Sequence, residues 1–170
     1  MRITVAGLGY VGLAVGVLLA QRHEVVALDV DEERVGLVNA RRSPIEDPDI
    51  EDFLATRRLY LRATTNPGEA YPGADFVVIA TPTNYDPDAD FFNTSTVEEV
   101  IAQVGRLSPT SVVVIRSTIT VGFTTRMQGE HPDLRILFSP EFLREGQALH
   151  DNLHPSRIVV AGPAPHAQAF

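Results

Sequence analysis

Apolar residues along this chain fall into short continuous blocks and longer spaced stretches. The blocks are Ile3 to Ala6, Val25 to Asp29, Phe76 to Ala80, Val112 to Ile115, Arg135 to Phe138 and Ile158 to Ala161. A strand covered on both faces reads as such a block, because neither side chain row meets water. Between the blocks lie stretches with helical character. Val11 to Gln21 is almost wholly apolar until Gln21-Arg22-His23, which predicts a helix buried against a sheet. Val97, Val100, Ile101 and Val104 recur at helical spacing. Strands alternating with helices predict an α/β fold with a doubly wound, mostly parallel, Rossmann-like sheet.

Local signals set the boundaries. A helix is predicted from Asp31, with Glu32 and Glu33 in its first turn, where the dipole favours acids. Its Val35, Leu37 and Val38 form one packed face. Asp47-Pro48 reads as an N-cap followed by proline at the first helical position, and Ile50, Phe53 and Leu54 give that helix its apolar stripe. Leu59 to Arg62 is predicted as a short strand. Asn66-Pro67 opens a small helical turn ending at Tyr71-Pro72-Gly73. Thr81 to Asn93 reads as a long polar loop, and loops of that length in a compact domain are usually functional. Thr94 or Ser95 caps the next helix, with Glu98 or Glu99 placed for a capping box. Val121-Gly122 leads toward a helix through Met127, and Gly162-Pro163-Ala164-Pro165-His166 reads as a boundary or the start of a connection. No internal repeat divides the chain, so residues 1–170 are expected to form one domain.

The first block runs into Gly7-Leu8-Gly9-Tyr10-Val11-Gly12, and the second ends on Asp29. A GxGxxG alone is weak; here it follows a strand, opens a helix and has an acid roughly 20 residues on. Gly7 permits a tight turn, Gly9 lets backbone approach a pyrophosphate, and Gly12 lets helix and strand pack closely. The helix N-terminus offers free N–H groups and partial positive charge to phosphates. Asp29 can accept hydrogen bonds from both hydroxyls of an adenosine ribose and repels a 2′-phosphate, which favours NAD over NADP. Arg34 reads either as a solvated helix residue or as a group lying over the adenine.

Composition narrows the partners. A net charge of −8 with no basic stripe argues against nucleic acid. The absence of cysteine removes disulfides, thiolate metal sites and a cysteine nucleophile, and suits a cytoplasmic protein. The longest apolar stretch, Val11 to Ala20, is too short to span a bilayer, and the N-terminus does not read as a signal peptide. The histidines (His23, His131, His150, His154, His166) lack metal-ligand spacing, so no metal is expected.

Ligands of open α/β sheets bind outside the carboxyl ends of the strands. The polar groups leaving those ends are Gly7 to Gly12, Asp29, Thr81-Pro82-Thr83 and Ser117-Thr118. The threonines and serine read either as ligands to a ribose, phosphate or nicotinamide, or as caps and turn formers. Glu141 and Glu145 share a face if Pro140 to Gly146 is helical, and beside a cofactor they can act as acid or base. A solvated turn with Arg144 neutralising one of them is the alternative.

These motifs together resemble the N-terminal half of the UDP-glucose 6-dehydrogenases of bacteria. The resemblance rests on Gly7 to Leu13, Val25 to Asp29, Ser43-Pro44-Ile45, Ala80 to Thr83 with Tyr85-Asp86, Phe92-Asn93-Thr94, Ser117-Thr118 with Val121-Gly122, Ser139 to Gly146, and Asp151 to Val159. The related GDP-mannose and UDP-N-acetylmannosamine dehydrogenases share the plan, but Asn152 to Arg157 looks like the UDP-glucose type. The resemblance implies oxidation of the sugar's C6 alcohol to a carboxylate with two NAD and one water. It implies that Asp29 holds the adenosine ribose, that Tyr10 and Val11 lie along the pyrophosphate, and that Thr83 and Thr118 lie toward the nicotinamide. Thr118 would also help to hold the attacking water. Glu141 would assist proton transfer or hydrolysis, and Phe142, Leu143, Arg144 and Glu145 would line the sugar, with Glu145 also near the cofactor. The family forms a thioester on a cysteine in its later half and dimerises through a connecting helix. Neither lies within these residues, so the resemblance implies a cofactor domain with an incomplete UDP-glucose site that does not complete the reaction alone. A stand-alone NAD(H)-binding module, such as a redox sensor, is a second reading, and a β-hydroxyacid-type dehydrogenase, which also starts with this glycine motif, is a third, against which Asn152 to Arg157 argues.

Overall fold

The computed structural model describes residues 1–87 and 91–170. Six strands form one sheet: β1 (Arg2–Ala6), β2 (Glu24–Leu28), β3 (Leu61–Thr64), β4 (Phe76–Ile79), β7 (Val112–Ile115) and β8 (Arg135–Phe138), in the order β3-β2-β1-β4-β7-β8. Every pairing is parallel. The chain winds outward from β1 to β3, then crosses back to β4 and winds the other way. The reversal leaves a crevice between the carboxyl ends of β1 and β4.

Both faces of the sheet are covered, which explains the continuous apolar blocks. Val78, Val114 and Leu137 face α1 (Tyr10–Ala20), α3 (Pro48–Thr56) and α7 (Ala148–Leu153). Val77, Ile79, Val113, Ile115 and Ile136 face α4 (Pro67–Ala70), α5 (Ser95–Leu107) and α6 (Phe123–Glu130). Helix α1 is apolar nearly all round because it sits between the sheet and the two helices α3 and α7. Helix α2 (Glu32–Asn39) lies along β3 at one edge and buries only Val38. The short α8 (Ala164–Ala169) closes the chain, with Phe170 against Phe76.

The caps expected at Asp47 and Asn66 form, and Asp31, the expected start of a helix, is itself a cap. Asp31 Oδ1 accepts from Glu33 N and Arg34 N, Asp47 Oδ1 from Asp49 N and Ile50 N, and Asn66 Oδ1 from Gly68 N. Asp47 does more than cap α3. Its other oxygen accepts from Ala148 N at 2.7 Å and Leu149 N at 3.3 Å, so one buried carboxylate caps α3 and α7 together.

Four expectations change. The strand expected over Leu59 to Arg62 forms two residues later, where pairing with Val25 to Leu28 continues the sheet. Part of the loop expected over Thr81 to Asn93 is an antiparallel hairpin of β5 (Asn84–Asp86) and β6 (Phe91–Asn93), with Tyr85 opposite Phe92; residues 88–90 of it lie outside the described residues. The capping box does not close: Glu98 accepts the Thr94 hydroxyl and pairs with Arg126, while Asn93 accepts from Ser95 N. Ile158 to Ala161 is not a strand. Only Ala161 bridges Phe138, antiparallel, because Gly162-Pro163 turns the chain away at once and proline has no N–H for a ladder.

Candidate functional site

The crevice is shaped by the glycine turn. Gly7 has φ +98°, a conformation L side chains rarely adopt, and a Cβ there would stand 2.5 Å from the carbonyl oxygen of Ala80, the first residue past β4. A Cβ on Gly12 would collide with the Gly7 carbonyl oxygen. These two glycines let β1, α1 and β4 meet. Gly9 differs: nothing lies within 4 Å of its would-be Cβ, so the space above it is open. Gly9 is also the N-cap of α1 and supplies no capping side chain. The first N–H groups of α1, at the half-buried Tyr10 and Val11, are therefore available to an anion.

Asp29 follows β2 directly and stands beside this turn. Its Oδ2 accepts from Leu8 N at 2.7 Å and its Oδ1 from Asp31 N at 3.0 Å. Arg34, at the start of α2, is half-exposed, with its Nε 3.5 Å from Asp31 Oδ2. A cavity of about 220 Å³ opens next to Asp29, walled by Leu28, Val30, Pro67, Pro82 and Val100. Gly7 and Thr81 also line it. Tyr71 backs the cavity and is fully buried; its hydroxyl has no partner among the described residues. Burial, aided by the charge of Glu99, pushes that phenol far above its usual range. An apolar slot next to an acid and a row of free N–H groups suits a purine, a ribose and a pyrophosphate in that order.

The loop after β4 is held from two sides. The Thr96 hydroxyl donates to Pro82 O at 2.7 Å and shares a 3.1 Å hydrogen bond with the Thr81 hydroxyl. Ser117, buried at the end of β7, donates to Thr81 O at 2.7 Å. Its hydroxyl thus braces the loop from behind. Thr83 is half-buried and Thr118 exposed, at the carboxyl ends of β4 and β7.

A second cavity, about 350 Å³, lies between α1 and the segment after β8. Glu141, Phe142, Leu143 and Arg144 line it; Glu145 is exposed outside its lining. The segment Pro140 to Gly146 is not helical, so Glu141 and Glu145 do not share a helical face. Gly146 takes φ +76°, and Arg144 is tied to Asp151 through its backbone N at 2.9 Å and its guanidinium at 2.7 and 3.1 Å. Arg144 therefore neutralises Asp151 rather than a glutamate, and these bonds hold the Asp151 carboxyl down at about 2. Glu141 instead pairs with Arg116, and both side chains are only 13% exposed. Burial pushes the Arg116 guanidinium down to about 10. Arg116 was not singled out from sequence; its one signal is its place directly before Ser117-Thr118 at a strand's carboxyl end. Arg157 stacks over Phe142 at 4.3 Å.

The profile of the "UDP-glucose/GDP-mannose dehydrogenase family, NAD binding domain" matches residues 1–170. A UDP-glucose 6-dehydrogenase of Streptococcus pneumoniae is 49% identical over 160 residues, covering 94% of this chain and 41% of that protein. One of Campylobacter jejuni is 44% identical over 162 residues, with the same coverage. Among solved structures, a ternary complex of GDP-mannose dehydrogenase from Pseudomonas aeruginosa superposes with a TM-score of 0.86 at 28% identity, over 99% of this chain and 42% of that one. The chain thus spans about 41% of the length of these two curated relatives.

Proposed function

Because the chain belongs to the UDP-glucose/GDP-mannose dehydrogenase family, as its NAD-binding domain, we propose that it forms the cofactor half of an enzyme that oxidises UDP-glucose to UDP-glucuronate. Residues 1–170 act as one dinucleotide-binding domain in this reading. The observation that carries it is the pairing of Asp29 with the open, uncapped α1 N-terminus across one crevice. NAD, when bound, accepts the hydride lost from the sugar's C6.

The chain's own residues have separate tasks. Gly7, Gly9 and Gly12 shape the pyrophosphate seat, and Tyr10 and Val11 present their N–H groups to it. Asp29 accepts from the adenosine ribose, and Arg34 lies at the rim beside the adenine. Thr81, Pro82 and Thr83, braced by Ser117, form the wall along the cofactor. Thr118 orients water near the reacting carbon. Glu141 moves a proton there, and Phe142, Leu143, Arg144 and Glu145 border the sugar, with Glu145 reaching toward the cofactor. UDP-glucose is preferred to GDP-mannose because the relative named for the former is 49% identical, against 32% for a GDP-mannose 6-dehydrogenase of Azotobacter vinelandii. The nucleophilic cysteine, most of the uridine site and the dimer-forming helix belong to the family's later half, which is the partner this domain works with. The setting is cytoplasmic, and the product feeds polysaccharide synthesis. Among the described residues, no helix is long and apolar enough to cross a membrane.

The test is a fluorescence titration of the 170-residue chain with NADH and with NADPH. The chain has no tryptophan to obscure the nicotinamide signal. Saturable binding of NADH and none of NADPH is expected. Absence of NADH binding, or equal binding of both, overturns the assignment of the crevice.

A further inference from the structure

We infer that Asp29 is a positioning residue for the pyrophosphate loop as well as the ribose acceptor, so that one carboxylate couples cofactor selection to phosphate binding. The inference rests on the crevice being the dinucleotide site and goes beyond it. A carboxylate offers about four lone-pair positions. In this chain two are already taken, by Leu8 N at 2.7 Å and Asp31 N at 3.0 Å. Leu8 is the residue between the first two glycines, and its side chain is buried at 1% exposure. Its N–H is therefore fixed by Asp29 while its side chain is fixed by the core. Gly7 N donates to Leu28 O at 2.8 Å, so the turn is tied to the end of β2 at two successive amides.

The two remaining lone-pair positions match the two hydroxyls of a ribose. A 2′-phosphate brings negative charge in place of one of those donors, and the carboxylate cannot be removed to admit it without releasing the Leu8 and Asp31 amides. A substitution at Asp29 intended only to relax selectivity therefore also loosens the loop that seats the pyrophosphate. An asparagine keeps one accepting oxygen for Leu8 N and turns an NH₂ toward Asp31 N, so it retains one of the two ties.

Asp29→Ala and Asp29→Asn separate the two roles. Adenosine shares the ribose and lacks the pyrophosphate; ADP-ribose has both. In Asp29→Ala, affinity for ADP-ribose is expected to fall at least about tenfold further than affinity for adenosine, as losing a charge-assisted tie to the loop implies. Equal losses for the two ligands overturn the inference. In the ligand-free chain, hydrogen exchange of the Leu8 amide is expected to speed up at least about tenfold in Asp29→Ala and less in Asp29→Asn. Unchanged exchange in both variants overturns it. If the alanine variant does not fold, Asp29→Asn carries the test, because its neutral oxygen makes a weaker tie than a carboxylate: the Leu8 amide is expected to exchange about threefold faster, and unchanged exchange in that variant overturns the inference. Failure of the unaltered chain to bind ADP-ribose overturns the cofactor reading, whereas the amide exchange, read without ligand, tests the loop tie by itself.

Discussion

Replacing Asp47 with alanine removes the N-cap of two helices at once. The carboxylate is 1% exposed and accepts from Asp49 N and Ile50 N at 3.2 Å each, Ala148 N at 2.7 Å and Leu149 N at 3.3 Å. Helix α3 loses its cap, and so does α7, 101 residues away from Asp47 at Ala148. Loss of a cap costs about 1 kcal/mol, reaching about 2 in proteins. Ile50, Ala148 and Leu149 are all fully buried, so water does not readily replace the lost acceptor, and the upper half of the range applies. The expected total is about 3 to 4 kcal/mol. For a chain of this size that lowers the melting temperature by about 6 to 16 °C, at about 2 to 4 °C per kcal/mol. Urea unfolding followed by circular dichroism measures it, with the slope against denaturant unchanged. Asp47→Asn keeps one accepting oxygen and is expected to lose about half as much. The reasoning is refuted if the alanine variant loses less than about 1 kcal/mol, the cost of a single ordinary cap, or if asparagine is as damaging as alanine.

Other outcomes follow from the same geometry. Gly12→Ala forces a Cβ into the Gly7 carbonyl and should destabilise the chain by about 2 kcal/mol or more in the same assay. Gly9→Ala meets no atom within 4 Å, so its stability should stay within about 0.5 kcal/mol of the parent while NADH affinity falls; a stability loss like that of Gly12→Ala would contradict this. Tyr71→Phe removes a buried hydroxyl without a partner among the described residues, and should leave stability unchanged or raise it by about 1 kcal/mol. The Asp151 carboxyl, held at about 2 by Arg144, is depressed relative to its ordinary value of 3.8. Its contribution is therefore present above pH 3.8 and lost as pH falls through about 2. Carboxyl NMR should show that midpoint, and in Arg144→Gln a shift partway back toward the ordinary range, since the backbone N–H of residue 144 still donates to Asp151.

The readings that held are those fixed by neighbours in sequence. The continuous apolar blocks at Phe76 to Ile79 and Val112 to Ile115 form strands because burial on both faces leaves no polar position to place. The caps at Asp47 and Asn66 form because donor and acceptor lie within three residues of each other. Gly7 and Gly12 are legible for the same reason, since strand, turn and helix are contiguous. Where the partner is distant, sequence is silent or misleads. Nothing near Asp47 announces Ala148, and nothing near Glu141 announces Arg116, since both pairs exist only once the sheet brings separate segments together. Ile158 to Ala161 has a strand's composition yet joins no ladder, because the chain turns away after a single bridge. Pro140 to Gly146 has glutamates at helical spacing yet is irregular, because Asp151 captures Arg144. Residue order in this chain determined most of the elements and the glycine turn, where the decisive bonds are local. Only the assembled structure decided which donors the buried carboxylates hold, backbone amides for Asp47 and a guanidinium for Glu141, because a charge removed from water is satisfied by whatever donors the fold carries to it.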